Sequence, residues 1–205
     1  MKKGKRRIAA VIICAVAVLA IVAGSLAWYT STNSLSVAGN LLGFKTYASV
    51  NFEDQNGKMH TAQADENGLY TMSLNPSDLN YVGNLRVLVI HKGHAKSYVR
   101  VKMSVQWTMP DGTVTQNTVL PYSFSDNWYD NRSNDYYVYC TQDSELFNSY
   151  DKSIITGFDS KKFETSTLTE TATPKIAITA ESVQINRYKQ IWGIDSLPWS
   201  EAAKG

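Results

Sequence analysis

The stretch YVRVKMSVQW, residues 98–107, decides the fold class of this 205-residue chain. Apolar and polar side chains alternate along it, and a period of two is typical of a β-strand with one buried face and one face in water. The pattern predicts a strand over residues 98–107. The inward set is Val99, Val101, Met103, Val105 and Trp107, and the set facing water is Arg100, Lys102, Ser104 and Gln106.

Turn residues and shorter strand patterns surround this stretch. Pro110, Asp111 and Gly112 predict a turn, because proline fixes one backbone angle and glycine permits another. A second strand is expected over residues 113–120, and a buried strand over residues 85–90. Shorter alternation occurs at Ala48, Val50 and Phe52, at Tyr70, Met72 and Leu74, and at Ile176, Ile178 and Ala180. Short strands separated by turn residues predict an all-β, jelly-roll-like antiparallel β-sandwich.

Four other segments complete this description. Residues 182–192 are the one plausible helix, with Val183, Tyr188, Ile191 and Trp192 as its apolar positions. Residues 126–135 are rich in Asp and Asn, and residues 161–174 are rich in Thr, so both are expected to be loops or extended surface segments. Residues 200–205 are small and polar and are expected to form a disordered tail.

The N-terminus has the layout of an export signal. Five basic residues precede an uncharged run over residues 8–23. Small residues at Ser25 and Ala27 fit the positions that a signal peptidase reads, so we expect residues 1–27 to be removed and the processed protein to begin at Trp28. The alternative is an uncleaved anchor, since residues 8–28 approach the roughly 20 apolar residues needed to cross a bilayer. No later stretch is comparably long and apolar, so we expect no stable membrane anchor after processing.

The predicted signal carries much of the positive charge of the chain. Five of the 20 Lys and Arg residues lie within it, so 15 remain against 18 Asp and Glu, a net charge near −3. A mildly acidic body without a basic cluster argues against nucleic acid as a partner. Cys140 is the only cysteine after residue 27, which excludes an intramolecular disulfide in the processed protein. We expect residues 43–199 to form one β-sandwich domain.

Catalytic motifs are not found in the sequence. The three histidines, His60, His91 and His94, lack the spacing of a zinc-binding helix, and no Gly-x-Ser-x-Gly elbow or phosphate-binding glycine loop occurs. His91 and His94 flank turn residues, so we expect exposed loop histidines, with metal binding as the alternative. For Cys140 we expect a small buried apolar residue rather than a catalytic thiol. Residues 126–135 are read as solvated loop charges, with calcium binding as the alternative. The sequence therefore predicts no catalytic residue, no metal site and no cofactor.

Aromatic residues are concentrated in one part of the chain. Such rings fill sandwich cores and favour strands, and they also stack on sugar faces in binding modules. Alternation over residues 136–140 places Tyr137 and Tyr139 on one face and Tyr136 and Val138 on the other, which predicts a central strand. The aromatic residues concerned are Trp107, Trp128, Tyr129, Tyr136, Tyr137 and Tyr139.

Several short blocks resemble a known family. The junction AWYT at residues 27–30, followed by LSVAGNL at 35–41, is similar to the start of the camelysin and TasA-like proteins, biofilm matrix proteins that Gram-positive bacteria export through a dedicated, SipW-type signal peptidase. The blocks YVRV at 98–101, NDYYVY at 134–139 and ITAESVQ at 178–184 resemble the order of blocks in that family. Residues 141–147 lack the proline and glycine turn that often follows the aromatic block. This departure points to a divergent branch, such as the clostridial BsaA-like group.

The resemblance implies a function and a set of partners. It implies a secreted subunit of extracellular fibres or of the biofilm matrix, located in the matrix or at the cell surface, which assembles with copies of itself and with other matrix components. In such systems the processed N-terminal segment, here residues 28–42, adds as a strand to the next molecule. The alternative is that this segment is the first strand of its own domain. The residues expected to form the assembly strand are Leu35, Val37, Gly39 and Leu41.

Three classes of function remain open from the sequence. A structural matrix subunit predicts concentration-dependent assembly of the processed protein. A secreted carbohydrate- or surface-binding β-sandwich module predicts a stable monomer that binds glycan. An enzyme predicts loss of activity on chelation or on substitution of Cys140. The sequence favours the first class.

Overall fold

The computed structural model describes residues 45–92, 95–116, 119–142, 152–164 and 172–202. The predicted signal peptide (1–27) and N-terminal segment (28–42) lie outside these ranges. The strands are β1 (Lys45–Glu53), β2 (Met59–Thr61), β3 (Tyr70–Thr71), β4 (Leu85–Lys92), β5 (Ser97–Thr108), β6 (Val114–Gln116), β7 (Tyr122–Phe124), β8 (Trp128–Asp130), β9 (Tyr137–Cys140), β10 (Ile155–Phe158) and β11 (Thr173–Gln184). The helices are α1 (Arg132–Asp135), α2 (Ser160–Glu164), α3 (Tyr188–Trp192) and α4 (Pro198–Ala202), with 3-10 turns at Val82–Asn84 and Ile185–Arg187.

The strands form two sheets and one small pair, and every ladder is antiparallel. The first sheet has the order β2-β1-β4, and the large sheet has the order β3-β11-β5-β9-β8 with β6 also paired to β5. β7 and β10 pair with each other. The N–H of Ile154 donates to the carbonyl of Val87 at 2.8 Å and so links this pair to β4. The prediction of a mostly β chain with antiparallel sheets is therefore confirmed.

The core lies between the inner faces of the two sheets. The predicted strand over residues 98–107 is confirmed as β5, and its odd-numbered apolar residues are buried as expected. Each such side chain contributes roughly 1.5–3 kcal/mol on leaving water. The inward residues include Val50, Phe52, Leu85, Val87, Val89, Val99, Val101, Met103, Val105, Trp107, Val138, Ile176 and Ile178.

The predicted turn after β5 is present. The N–H of Met109 donates to the carbonyl of Thr113 at 2.8 Å, and Gly112 has a φ of 83°, a conformation that glycine adopts without steric cost. Of the strand expected over residues 113–120, the described part that pairs with β5 is Val114–Gln116, residues 117–118 lie outside the described ranges, and Leu120 is buried outside a strand. In the part of the chain that is described, no helix is long and apolar enough to cross a membrane.

Four predicted segments differ from the structure. Residues 161–174, expected to be a loop or an extended surface segment, include most of α2 and the first two residues of β11, which pair with β5. The helix expected over residues 182–192 is wrong at its start, because β11 pairs with β5 up to Gln184 and the helix covers only Tyr188–Trp192. Residues 182–184 stay in the strand because they extend the β11–β5 ladder, which has twelve residue pairs. The loop over residues 126–135 contains β8 and α1, since Trp128 is buried and anchors this segment. Ser200, in the predicted disordered tail, lies within α4.

Candidate functional site

The residues that the sequence assigns to processing and assembly precede the described chain. Ser25, Ala27 and Trp28 of the cleavage junction, and Leu35, Val37, Gly39 and Leu41 of the assembly strand, all lie outside the described residues. The described chain begins at Lys45, the first residue of β1. β1 is therefore the described element that follows the N-terminal segment in the sequence.

The start of β1 forms a two-stranded ribbon with β4. These strands pair from Lys45 with Lys92 to Phe52 with Leu85. β2 pairs only with the far half of β1, where the N–H of Ala62 donates to the carbonyl of Val50. Backbone groups alternate in direction along a strand, so Ala48 presents its groups on the same edge as Val50. Among the residues described, no backbone group pairs with that edge of Ala48.

The other edge of the ribbon is open as well. The N–H of Val87 donates to Ser153 Oγ at 3.0 Å, and its carbonyl accepts from Ile154, so this edge of β4 faces β10. Val89 presents its backbone groups on the same edge, and within the described ranges nothing pairs with them. Among the described residues, nothing therefore pairs with the edge of the ribbon at Ala48 or with the edge at Val89.

The outer face of the ribbon carries three apolar side chains among polar and charged ones. Tyr47 is 38% exposed and lies directly opposite Ile90 in the ladder, and Leu88 is partly exposed two residues before Ile90. The ammonium group of Lys45 lies 5.2 Å from the centre of the Tyr47 ring. The ribbon therefore offers apolar side chains next to its unpaired backbone edges.

A polar network fills the interior beneath this ribbon. His91 is only 5% exposed, so the prediction of an exposed loop histidine is wrong at this position, whereas His94 lies outside the described residues. His91 Nδ1 lies 2.6 Å from Thr46 Oγ1, and His91 Nε2 lies 3.0 Å from Ser97 Oγ. Thr46 donates in turn to Ser182 Oγ at 2.6 Å, which joins β1 to β11 across the interior. Since Leu85, Val87 and Val89 point inward, strand alternation also turns position 91 inward.

The network places a hydroxyl group beside each ring nitrogen of His91. A hydroxyl can donate or accept, so these two contacts suit either neutral tautomer of the ring. Burial lowers the pKa of His91 below its ordinary value of 6.5, which keeps the ring neutral. Ser97 is fully buried, so this Ser–His pair is closed to an outside substrate.

The outer face of the large sheet is covered by the C-terminal strap, residues 185–202. Arg100 was expected to face water, but it is only 8% exposed, so that prediction is wrong. Its guanidinium carbon lies 3.8 Å from the centre of the Tyr137 ring and 4.4 Å from that of Trp192 in the strap. Its Nε and Nη2 donate to Glu181 Oε2 at 3.1 and 2.9 Å. Arg100 is buried because the strap closes over it, a contact between segments that are about 90 residues apart in the sequence.

Tyrosines of the same face are held in their neutral form. Tyr137 donates to Glu181 Oε1 at 2.9 Å, and Tyr139 donates to Asp135 Oδ2 at 2.6 Å. Burial, followed by the charge of Glu181, raises the pKa of Tyr137. Burial, followed by the hydrogen bond to Asp135, raises the pKa of Tyr139 to about 12. β9 is buried at all four positions, which confirms the predicted central strand.

Two of the three aspartates in residues 126–135 bond to protein groups. Asp130 accepts from Nε and Nη2 of Arg132 at 2.8 Å each, and Arg132 is only 4% exposed. Asp135 accepts from Tyr139, as described above. The described chain contains no group of three His, Cys, Asp or Glu residues placed to hold a metal ion. Cys140 is fully buried, as expected of a small apolar residue.

A groove of about 630 Å³ lies between the strap and the β8–α1 segment. Its position continues the row of tyrosines on the outer face, because Tyr129 pairs with Tyr139 across β8 and β9. In the sequence, Tyr129 was noted only as one of several aromatic residues. The groove residues of the strap lie in a segment without a recognised motif. The lining residues are Tyr129, Asn131, Asn134, Ile194, Asp195, Ser196 and Pro198.

Comparison with known proteins gives no relative for this chain. No family model, no curated protein and no solved structure matches it.

Proposed function

We propose that the protein is a secreted structural subunit of extracellular fibres or of a biofilm matrix. In this proposal the processed N-terminal segment of one molecule adds as a strand to the next molecule. The observation that carries the proposal is the ribbon of β1 and β4, whose edges at Ala48 and Val89 pair with no residue in the described part of the chain. Unpaired N–H and C=O groups at a sheet edge are a template for another strand.

The ribbon also has the side-chain chemistry that strand addition requires. Main-chain hydrogen bonds supply much of the affinity in this mode of binding, and side-chain contacts fix the register. An added strand would place alternate residues on the outer face, beside Tyr47, Leu88 and Ile90. The predicted assembly strand offers a matching apolar row in Leu35, Val37, Gly39 and Leu41.

Two finer points of the proposal rest on the residues: a signal peptide over residues 1–27, from the layout of the N-terminus, and a jelly-roll-like sandwich, from the short strands separated by turn residues. The location in the extracellular matrix or at the cell surface rests on the resemblance to the camelysin and TasA-like family. The partners are further copies of the chain and other matrix components, with a signal peptidase acting during export. Nucleic acid and a stable membrane anchor are not part of the proposal.

Processing is tested by N-terminal sequencing of protein from the culture supernatant. We expect Trp28 as the first residue, and we expect Ala27→Asp to block processing because a charged side chain does not fit the small pocket of the peptidase. Full-length protein found only in membranes would favour the anchor instead.

Assembly is tested by comparing the protein that starts at Trp28 with one that starts at Gly43. Light scattering and electron microscopy should show polymers of the longer protein, while the shorter one folds and stays monomeric. If the shorter protein is unfolded, residues 28–42 belong to their own core. Val37→Pro should also stop polymer growth by removing a backbone donor, whereas Thr30→Pro, before the apolar row, should not.

The acceptor edge is tested by a matched pair of prolines in β1. Ala48→Pro removes an N–H from the unpaired edge, so the protein should fold and assemble poorly. Ser49→Pro removes an N–H that faces β4, so it should destabilise the fold itself. Val89→Pro tests the other edge in the same way. Assembly at the wild-type rate in both Ala48→Pro and Val89→Pro would exclude the ribbon as the acceptor.

A further inference from the structure

We infer that the groove between the C-terminal strap and α1 is a binding site for a neutral carbohydrate. This goes beyond the structural role proposed above, because a fibre subunit needs no such site. The volume of about 630 Å³ lies within the ~300–1,000 Å³ range of small-molecule sites in proteins.

The lining combines the groups that a sugar needs. Tyr129 supplies an aromatic ring for the C–H face of a hexose, and Ile194 and Pro198 supply further apolar surface. Asn131 and Asn134 supply amides, which both donate and accept hydrogen bonds and therefore suit hydroxyl groups. The mixture of a few polar groups with apolar surface is typical of a site that fixes the orientation of its ligand.

Asn131 is the strongest indication that the groove binds a ligand. It is only 8% exposed, its Oδ1 accepts from Asn134 Nδ2 at 2.8 Å, and its N–H donates to the carbonyl of Tyr137 at 3.0 Å. No described residue accepts from its Nδ2. Trp107 Nε1 is the one fully enclosed side-chain nitrogen or oxygen without a partner in the described chain, so Nδ2 of Asn131 must reach solvent. A largely buried amide thus presents an unpaired donor to the groove, where a ligand oxygen can accept from it.

The charge of the lining selects the class of sugar. The carboxylate of Asp195 is exposed and has no hydrogen-bond or ion-pair partner among the described residues. None of the lining residues is basic. A carboxylate accepts charge-assisted hydrogen bonds from sugar hydroxyls and repels phosphate or uronate groups. The ligand is therefore a neutral saccharide rather than an acidic one.

The groove is held in shape by packing on both sides. Tyr129 lies in β8 beside Tyr139, and the Tyr139 ring lies 5.8 Å from Trp199 of the strap. Trp199 also packs edge-on against Tyr98 at 5.6 Å, which ties α4 to β5. A site that is ordered before its ligand arrives loses less entropy on binding.

The test is titration of the secreted protein with four soluble neutral oligosaccharides, followed by ¹⁵N NMR and calorimetry. The probes are an N-acetylglucosamine tetramer, which represents cell-wall glycan, and a β-glucan, an α-glucan and a galactan hexamer, which represent matrix polysaccharides. We expect at least one probe to bind, with shifts at Tyr129, Asn131 and Asp195, and the probe that binds identifies the source. Failure of all four probes to bind at millimolar concentration, or shifts confined to another surface, would overturn the inference.

Two variants with matched controls complete the test. Tyr129→Ala and Asp195→Ala should each weaken binding at least tenfold, while Tyr47→Ala and Glu66→Ala, an exposed tyrosine and an exposed carboxylate outside the groove, should change it less than twofold. Asp195 is exposed and unpaired, so its variant remains informative if Tyr129→Ala fails to fold. Wild-type affinity in Asp195→Ala together with folded Tyr129→Ala would contradict the inference. Polymer assembly should be unchanged in Asp195→Ala, which separates this site from strand addition.

Discussion

The two faces of the large sheet use the same strands but bury different chemistry. On the inner face, β5 contributes aliphatic side chains and Trp107, all packed among other apolar residues. On the outer face, the alternate residue Arg100 lies between two aromatic rings and pairs with Glu181. Apolar burial stabilises wherever enough area leaves water, whereas a buried charge stabilises only if every partner is in place. The outer face therefore depends on a charged group and its partners in a distant segment, whereas the inner face depends on apolar contacts, most of them between the sheets.

The largest expected effect is on the inner face. Trp107 is fully buried and stacks against Phe163 at 6.1 Å, so Trp107→Ala should lower the free energy of unfolding by roughly 3–5 kcal/mol. Trp192→Ala, on the outer face, should cost only about 1–2 kcal/mol, because Trp192 is partly exposed and loses mainly its contact with Arg100 and the sheet. Urea denaturation measures both. Equal losses would remove the distinction between the faces.

Removal of the buried guanidinium group of Arg100 should give the next largest loss in the free energy of unfolding. Arg100→Ala leaves Glu181 without its ion pair, and since the Glu181 side chain is one-third exposed, we expect a loss of about 2 kcal/mol rather than the ~3–5 kcal/mol of a fully buried pair. Arg100→Lys should recover only part of it, because an ammonium group does not stack between two rings as guanidinium does.

Lys102→Ala is the matched control for this prediction. Lys102 lies on the same face of β5, with its ammonium nitrogen 5.8 Å from the centre of the Tyr137 ring, and it is less buried than Arg100. Its loss should change stability by less than 1 kcal/mol. A larger effect for Lys102 than for Arg100, measured by the same denaturation, would contradict the importance of the sandwiched guanidinium.

The pH dependence of stability should reveal the contribution of His91, which lies beneath the ribbon and differs in this from the apolar core. The lowered pKa of His91 means that the unfolded chain binds more protons between the folded value and 6.5. The stability that this group contributes is therefore complete above about pH 6.5 and is lost as the pH falls towards the folded value. The melting temperature should fall between pH 7 and pH 5, and His91→Gln should flatten that slope. His60→Gln, in β2 beside the other end of β1, should leave the slope of melting temperature against pH unchanged.

The smallest expected effect is that of metal or disulfide removal, which should be zero. Cys140 is buried and forms no disulfide, and Asp130 and Asp135 already bond to Arg132 and Tyr139. Both faces should therefore unfold at the same temperature with or without chelator and reductant, as measured by circular dichroism. A fall of more than a few degrees with chelator would revive calcium binding in residues 126–135.

Prediction from the sequence succeeded where the pattern within one segment is enough to predict its structure and burial. β5, the turn at Gly112 and the all-buried β9 follow from local alternation and turn chemistry. It failed at Arg100 and His91, since the partners that cover these residues lie on other strands or in the strap. The groove was not predicted because its two walls come from segments about 60 residues apart, and only one wall contains aromatic residues.

The sequence alone determined that this chain is mostly β, which strand organises it, and which side of that strand faces the core. These follow from the two-residue period of a strand, which each segment carries within itself. Only the tertiary structure decided that Arg100 on the opposite side is buried too, that a histidine lies inside, and that a polar groove forms beside the strap. Those features depend on contacts between segments that are distant in the sequence, and a local hydrophobic period does not indicate which segments come into contact.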